Sequence, residues 1–260
     1  MDDGAPRSLD RESLVISFVN VKKSFGDKAI LRGVSFDVRP GEVFFVIGSS
    51  GVGKSVLIKQ LVGLLRPDEG QIFLDGVDVT HFDETAMYAV RKKCAMVFQH
   101  STLFDSMTCE ENVALPLRKH RKLTQKDALG EARRLLERVR MDSYARSFPA
   151  ELGDGMRKRV AIARALTLEP RYVLFDEPTT SLDPVSARRI DRLIRELADV
   201  MGVTSIVVSH DLRSIFGIAD RVAMLYRGEV RLLGTPDELR RSEDGVVQQF
   251  INGRSQGPME

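Results

Sequence analysis

The stretch VFFVIGSSGVGKSVLIKQL, residues 43–61, decides the fold. The apolar residues at its start belong to a predicted buried strand over Glu42–Ile47. A helical pattern runs from Lys54 to about Leu64. Between them lies GSSGVGKS, Gly48–Ser55, which fits the pattern G-x-x-x-x-G-K-[ST]. Because a strand precedes this loop and a helix follows it, the stretch predicts a phosphate-binding loop of the P-loop type.

The chemistry of this loop follows from its residue types. Glycines let backbone N–H groups wrap closely around a phosphate. The Lys54 ammonium is expected to reach the β- and γ-phosphates of a nucleotide, and the Ser55 hydroxyl to ligate Mg²⁺. The residues expected to contact the nucleotide here are Gly48, Ser49, Ser50, Gly51, Val52, Gly53, Lys54, Ser55 and Val56.

Outward from the loop, apolar strands alternate with amphipathic helices, which is typical of a parallel sheet covered by helices. Residues from about 100 to 168 carry helical patterns only, and an antiparallel β piece precedes the glycine loop. The sequence therefore predicts an α/β fold, with a P-loop (RecA-like) core sheet, an N-terminal antiparallel β subdomain and an inserted helical subdomain. Strands are expected at Leu14–Val21, Val34–Val38, Ala95–Phe98, Tyr172–Phe175, Thr204–Ser209 and Arg221–Tyr226, a hairpin at Gln71–Val79, and helices at Glu84–Lys93, Thr124–Val139 and Pro184–Met201.

Composition limits the classes of function. A formal net charge of +2 with 29% charged residues argues against wholesale electrostatic binding of nucleic acid. The basic runs Arg118–Lys122 and Arg157–Arg159 are expected to be solvated helix faces. Cys94 and Cys109 are too few for a disulfide framework and are expected to be core residues in a reducing compartment. The N-terminus is no signal peptide and no apolar run could cross a bilayer, so a soluble chain is expected, with any membrane role through a partner.

A second group of polar residues follows two other predicted strands. Asp176, at the end of YVLFD, is placed to hold Mg²⁺ directly or through water. Glu177 follows it and is placed to orient or deprotonate a water that attacks the γ-phosphate. His210 comes directly after the strand TSIVVS. The chain has no N-K-x-D guanine motif, so ATP is favoured over GTP.

At this point the chain resembles the ATP-binding subunits of ABC transporters over nearly its whole length. The resemblance implies that Phe25 stacks on adenine, that Gln99 lies near Mg²⁺ and the membrane partner, and that His210 acts as the switch histidine. It implies catalytic roles for Glu177, His210, Gln99 and Lys54, and metal ligation by Ser55, Gln99 and Asp176. The remaining family motifs are LGDGM (Leu152–Met156), which stands where L-S-G-G-Q belongs, and SLD (Ser181–Asp183).

The family's mechanism implies a homodimer. Two subunits sandwich two ATP molecules, each held by the P-loop of one chain and the signature loop of the other. Gly153, Asp154, Gly155 and Asp183 are therefore expected to contact nucleotide across the dimer, and closure would drive multi-span permease subunits. The corresponding boundaries are a polar segment over residues 1–12, the ATPase domain over 13–240 with the helical subdomain at about 100–168, and a C-terminal tail over 241–260.

Two stretches narrow the transporter class. LFDSMTCEENVALPLRKH (Leu103–His120) and the tail SEDGVVQQFINGRSQGP (Ser242–Pro258) are similar to the Mla/Mce-type lipid-transport ATPases. This subgroup implies phospholipid transport, peripheral attachment at the cytoplasmic face of the inner membrane, an Mce-domain lipid-binding protein and a STAS-domain partner. The plainer interpretation is a helical-subdomain core and a disordered tail.

Three other functions remain open. The chain could be the ATPase of a polar-solute importer, such as one for amino acids, or a regulatory subunit with little turnover. ABC-type ATPases of translation and chromosome maintenance form a further class, but they usually carry two ATPase halves or a long coiled coil, and this chain has neither.

Asp154 departs from the signature pattern. If its carboxylate faced a phosphate about 4 Å away, the two charges would repel by about 4 kcal/mol at an effective dielectric near 20. The sequence offers a milder arrangement, in which Asp154 caps the following helix and pairs with Arg157 and Lys158. Gly155 would still offer its backbone N–H. The expected consequence is an ATPase that is slow but active.

Overall fold

The computed structural model describes residues 15–259, so Leu14 and the segment 1–12 lie outside the described residues. Strands and helices alternate along the chain as the sequence predicts. The strands are β1 (Ile16–Phe25), β2 (Lys28–Val38), β3 (Val43–Ile47), β4 (Glu69–Leu74), β5 (Val77–Asp78), β6 (Cys94–Val97), β7 (Tyr172–Asp176), β8 (Thr204–Val208), β9 (Arg221–Tyr226) and β10 (Glu229–Gly234). The helices are α1 (Lys54–Leu61), α2 (Glu84–Lys93), α3 (Cys109–Arg121), α4 (Gln125–Arg138), α5 (Asp154–Ala165), α6 (Pro184–Met201), α7 (Leu212–Ile218), α8 (Pro236–Arg241) and α9 (Gly245–Asn252).

The smaller sheet is antiparallel, with strand order β2-β1-β4-β5. Its β4–β5 hairpin closes through Asp75-Gly76, both at positive φ (51° and 76°), because the two-residue turn that matches strand twist requires left-handed backbone. Phe36 packs between Phe18 and Phe44, with ring centroids 4.8 and 4.9 Å away. Since Phe44 belongs to β3, this aromatic stack fixes the smaller sheet on the larger one.

The larger sheet has strand order β10-β9-β3-β8-β7-β6, and β3, β8, β7 and β6 are parallel. All residues of β3, β7 and β8 are buried, which explains their unbroken apolar sequences. In this order the carboxyl ends of β3, β8 and β7 are neighbours, and Asp176 lies opposite Val208. The loops after these three strands therefore meet at one edge, where open α/β sheets bind ligands.

Helices α3, α4 and α5 form the inserted subdomain and share the core that covers one face of the larger sheet. A Thr108–Glu111 capping box starts α3, and the Thr124 hydroxyl accepts from the Asp127 N–H at the start of α4. The buried face of α4 (Ala128, Ala132, Leu135, Leu136) follows the amphipathic pattern that predicted it. The α/β fold with its antiparallel subdomain and helical insertion is thus confirmed. Within residues 15–259, no helix is long and apolar enough to cross a membrane.

The described part of the C-terminal tail is folded, so the disordered alternative is wrong. Val246 and Val247 of α9 are buried in the core of the larger sheet. Beyond α9, Gln249 accepts a hydrogen bond from the Met259 N–H (2.7 Å) and the Tyr226 hydroxyl donates to the Pro258 carbonyl (2.8 Å). The polar and glycine-rich sequence after α9 concealed this packing. Strand β10 and helices α7, α8 and α9 were not predicted.

The two cysteines test the packing of the core. Cys94 and Cys109 are buried free thiols, and burial raises their pKa to about 12 and about 11. Because the thiolate is the reactive species, we expect both to resist iodoacetamide at about pH 8 in the native protein and to react after denaturation. Mass spectrometry counts the modified thiols. Val200→Cys, at a position 81% exposed, provides a reactive control; native labelling of Cys94 or Cys109 at the control's rate would contradict this packing.

Candidate functional site

A cavity of about 430 Å³ opens where the loops after β3, β7 and β8 converge. It draws on five separate parts of the chain, which the fold brings together. Most of its lining residues belong to the set predicted from sequence; Ile30 and Thr180 do not, because neither belongs to a motif that marks it. The lining comprises Phe25, Ile30, Ser50, Gly51, Gly53, Lys54, Ser55, Val56, Gln99, Glu177, Thr180 and His210.

The loop after β3 needs its glycines for steric reasons. Gly48 has φ 142°, and a Cβ there would lie 2.4 Å from the Leu225 carbonyl oxygen. Gly53, at φ 111°, precedes α1 and offers no side chain to cap it. The first N–H groups of α1 are thus left for a ligand, and such a helix start attracts anions. Gly48, Ser49 and Val52 shape the loop but do not line the cavity among the described residues.

Lys54 extends back along the loop. Its Nζ donates to the carbonyl oxygens of Gly48 (2.9 Å) and Ser49 (3.1 Å) and lies 3.7 Å from Glu177 Oε1. Only 6% of its side chain is exposed, and this burial lowers its pKa, with Glu177 and Asp176 opposing the shift. The ammonium is thus preplaced beside the loop, where phosphate oxygens would offset the loss of hydration.

Ser55 and Asp176 bring two side-chain oxygen atoms together. The Ser55 hydroxyl donates to Asp176 Oδ1, and Lys59 Nζ lies 3.8 Å from Asp176 Oδ2. Within residues 15–259 no group of three or more His, Cys, Asp or Glu side chains could hold a metal ion. Ser55 and Gln99 line the cavity, whereas Asp176 does not line it and is reached through its contact with Ser55. This hydroxyl, amide and carboxylate fit Mg²⁺, which prefers few protein ligands together with phosphate oxygens and water.

Glu177 occupies a constrained position between Lys54 and His210. Its backbone has φ 50°, which is uncommon outside glycine, and its N–H donates to the Val208 carbonyl (2.9 Å). Oε2 accepts from the Thr180 hydroxyl and lies 2.9 Å from His210 Nδ1. With 12% of the side chain exposed, the carboxylate is held at the cavity wall and can accept a proton from a water inside it.

Phe25 ends β1 at the rim of the cavity. It is 48% exposed, and Lys23 Nζ lies 5.5 Å from its ring centroid. An exposed aromatic ring beside a phosphate-binding loop can stack on a flat heterocycle.

The signature residues lie apart from this cavity. Gly153, Asp154 and Gly155 begin α5 and are not among its described lining residues; Asp154 lines a neighbouring cavity of about 420 Å³. Asp183 caps α6 through the N–H groups of Val185 (2.9 Å) and Ser186 (3.0 Å). One chain therefore does not bring its own signature loop to its own phosphate loop.

The expectation that Asp154 caps α5 is wrong. Gly153 is the cap residue, without a side-chain bond, and Asp154 is the first helical residue. Its carboxylate pairs with Arg157, as predicted, because residues three apart share a helix face. The second expected ion pair, between Asp154 and Lys158, does not form.

Lys158 also corrects the expectation of a solvated run at Arg157–Arg159. It is 3% exposed, and its Nζ donates to the backbone carbonyls of Phe98 (3.1 Å) and Gln99. Burial lowers its pKa to about 8. It thereby joins α5 to the segment that carries Gln99. A basic triplet in sequence gives no sign that its middle member turns inward.

Ion pairs anchor the segment that carries His210 to α6. Arg188 of α6 contacts Asp211 Oδ2 (2.7 Å) and the buried Asp191 (2.5 Å). Burial raises the pKa of Asp191. Since Asp211 follows His210 directly, this bridge ties the histidine segment to α6.

The fold and the cavity define a nucleotide-binding protein of the P-loop class. The sequence profile of the ABC transporter family matches residues 31–180. The chain belongs to this family, and it is an ATPase cassette of the kind that couples ATP hydrolysis to transport.

Several named relatives cover most of the chain. The chain is 37% identical, over 95% of its length, to the "probable ribonucleotide transport ATP-binding protein mkl" of Mycobacterium leprae, and spans 71% of that protein. It is 37% identical to the "intermembrane phospholipid transport system ATP-binding protein MlaF" of Haemophilus influenzae, with 94% of the chain and 93% of the relative covered. The "methionine import ATP-binding protein MetN" of Rhizobium johnstonii is 41% identical over 83% of the chain, which spans 59% of it.

Solved structures agree with the fold. The dimeric structure of MJ0796, a bacterial ABC transporter cassette, matches with a TM-score of 0.78 and 30% identity, covering 85% of this chain and 98% of that one. The structure of cbiO1 from Clostridium perfringens, part of the transporter complex cbiONQ, matches with a TM-score of 0.81 and 28% identity, covering 94% and 96%.

The position of Glu177 generates a test. In Glu177→Gln we expect ATP binding to be retained and hydrolysis to slow by about 100-fold or more, because the amide cannot take the proton of the attacking water. Nucleotide binding and steady-state phosphate release are measured on the same preparation. Glu169→Gln, at a side chain 75% exposed, is the matched control and should behave as wild type. Hydrolysis by Glu177→Gln at the wild-type rate would contradict the assignment.

Proposed function

We propose that the chain is the ATP-binding and hydrolysing subunit of an Mla/Mce-type complex that transports phospholipid at the inner membrane. The observation that carries this proposal is the nearly complete mutual coverage with a relative named for phospholipid transport, 94% of this chain and 93% of that protein. By contrast the chain spans 59% of the methionine-import relative.

We propose the following roles for the residues in and beside the cavity. Phe25 stacks on adenine, and the loop Gly48–Val56 wraps the phosphates with Lys54 beside the β- and γ-phosphates. Ser55, Asp176 and Gln99 would hold Mg²⁺, which would offset the charge on the phosphates. Glu177 takes the proton of the attacking water and His210 supports that carboxylate.

We propose that the working unit is a homodimer. Gly153–Gly155 and Asp183 lie outside the cavity of their own chain, so a second copy must bring its signature loop to the nucleotide. The dimeric structures of a 30% identical cassette support this arrangement.

The partners proposed for the dimer follow from the transport class. Multi-span permease subunits would attach it to the cytoplasmic face of the inner membrane, and an Mce-domain protein and a STAS-domain protein would complete the assembly. Nucleic acid is not proposed as a partner. A polar-solute importer is the second candidate, and the 41% identity to the methionine-import relative favours it.

Purification from detergent-solubilised membranes tests the proposed function. We expect the tagged chain to co-purify with a permease, an Mce-domain protein and bound phospholipid, identified by mass spectrometry. A soluble solute-binding protein in their place would favour the polar-solute importer. Recovery with ribosomes and without a permease would overturn a role in transport.

The altered signature loop gives a second test. Because Asp154 pairs with Arg157, we propose that it is turned from the phosphate and leaves a loop that is weakened yet active. Gly153→Ser with Asp154→Gly restores the family pattern, and a Cβ at Gly153 would meet no described atom within 4 Å. We expect faster steady-state hydrolysis, with nucleotide affinity of the isolated monomer unchanged. Asp154→Gly alone separates the two changes; a restored loop no faster than wild type, or a wild-type complex without turnover, would refute this account.

A further inference from the structure

Arginines surround a second hollow, which shares no lining residue with the cavity at the phosphate loop. A cavity of about 280 Å³ lies between the end of α4, the middle of α5 and one face of α6. Five guanidinium groups and one carboxylate line it, giving a local net charge of +4 in a chain whose formal net charge is +2. We call these residues the arginine hollow: Arg138, Val139, Arg140, Arg159, Arg189, Arg192, Leu193 and Glu196.

The arginines of α6 divide into two kinds. Arg188 binds Asp191 and Asp211, and Arg195 binds Asp199 and Asp220. The side chains of Arg189 and Arg192 line the hollow and form neither hydrogen bond nor ion pair with any residue of 15–259, and the same holds for the side chain of Arg138. The helix thus neutralises one pair of arginines and leaves the other pair uncompensated.

The remaining members do not neutralise the hollow either. One guanidinium nitrogen of Arg159 donates hydrogen bonds to the backbone carbonyl oxygens of Val139 (3.2 Å) and Arg140 (3.0 Å). Burial, and then the charges of Arg189 and Arg140, lower the pKa of Arg159. Glu196, the single carboxylate, lies 4.0 Å from Arg140, and both side chains are mostly exposed.

Packing and helix geometry do not account for this arrangement. Arg189 and Arg192 are three residues apart on one helix face, where like charges destabilise a helix. Both lie in the first half of α6, so the C-terminal end of the helix dipole gives them no support, although it does support Arg138 at the end of α4. An anion in the hollow would relieve this repulsion.

We propose that the arginine hollow binds a phosphate-bearing anion. Planar guanidinium forks match phosphate oxygens in pairs, and five around one concave space suit a ligand with more than one negative charge. The ligand would link α4, α5 and α6. Since α5 begins with the signature residues and α6 begins at the cap Asp183, an occupied hollow joins the two loops that face the second subunit. A soluble polyphosphorylated compound and a phospholipid headgroup share this chemistry.

Calorimetry with sodium tripolyphosphate, at about 150 mM salt and without Mg²⁺, tests the soluble source. In wild type we expect two binding events, of which Lys54→Ala removes the one at the phosphate loop. In the Lys54→Ala background, Arg189→Gln with Arg192→Gln should weaken the remaining event by about tenfold or more, because each lost guanidinium removes a charge-assisted hydrogen bond. Arg118→Gln with Arg134→Gln removes the same charge outside the hollow and should leave binding unchanged.

Vesicles of phosphatidylcholine with phosphatidylglycerol test the headgroup source by co-sedimentation with the same variants. Loss of tripolyphosphate binding confined to the hollow variant supports a soluble ligand; loss of vesicle binding confined to that variant supports a headgroup. Equal losses in the hollow and control variants, or no second binding event in either arm, would overturn the proposal. Circular dichroism checks that the hollow variant folds, as expected for two side chains that make no hydrogen bond.

Discussion

The parallel pairing of β3 with β8, and of β8 with β7, is the constraint on which the rest of the structure depends. It sets Val46, Val208 and Asp176 side by side at one edge of the sheet. The loop Gly48–Ser55 follows β3, Glu177 follows β7, and His210 lies two residues after β8. All three therefore start from that edge. Side chains that are far apart in sequence meet because their strands end together.

Burial of charge at this edge is balanced locally. Lys54 and Asp176 are 6% and 5% exposed, and an isolated ion of either sign would be strongly disfavoured there. Glu177 lies near Lys54, while Ser55 and Lys59 lie beside Asp176. The site therefore pairs its buried polar groups before any ligand arrives, so that little rearrangement has to accompany binding.

The sequence predicted those elements and site residues that depend on short-range patterns or on motifs with fixed spacing. Helices α2 and α6 have the predicted bounds, and the cavity gathers most of the predicted residues. Lys158 and Thr180 were missed because their direction depends on how α5 and the loop after β7 pack. Asp154 was predicted to be the cap of α5, but the cap is Gly153, one residue earlier. The exact first residue of a helix is difficult to predict in a glycine-rich loop. The edge strand β10 and helix α9 were not predicted, because each is short and is stabilised by contacts with distant parts of the chain.

The close approach of α5 to α6 limits where the signature loop can carry a side chain. A Cβ added at Gly155 would lie 2.9 Å from the Ser186 Cβ, whereas one at Gly153 would meet nothing within 4 Å. Space for a side chain is therefore available at position 153 and taken by Ser186 at position 155. The chain departs from the pattern L-S-G-G-Q at positions 153 and 154 and keeps the glycine at 155. A side chain at position 155 would thus force α5 and α6 apart before it altered any contact that the loop itself makes.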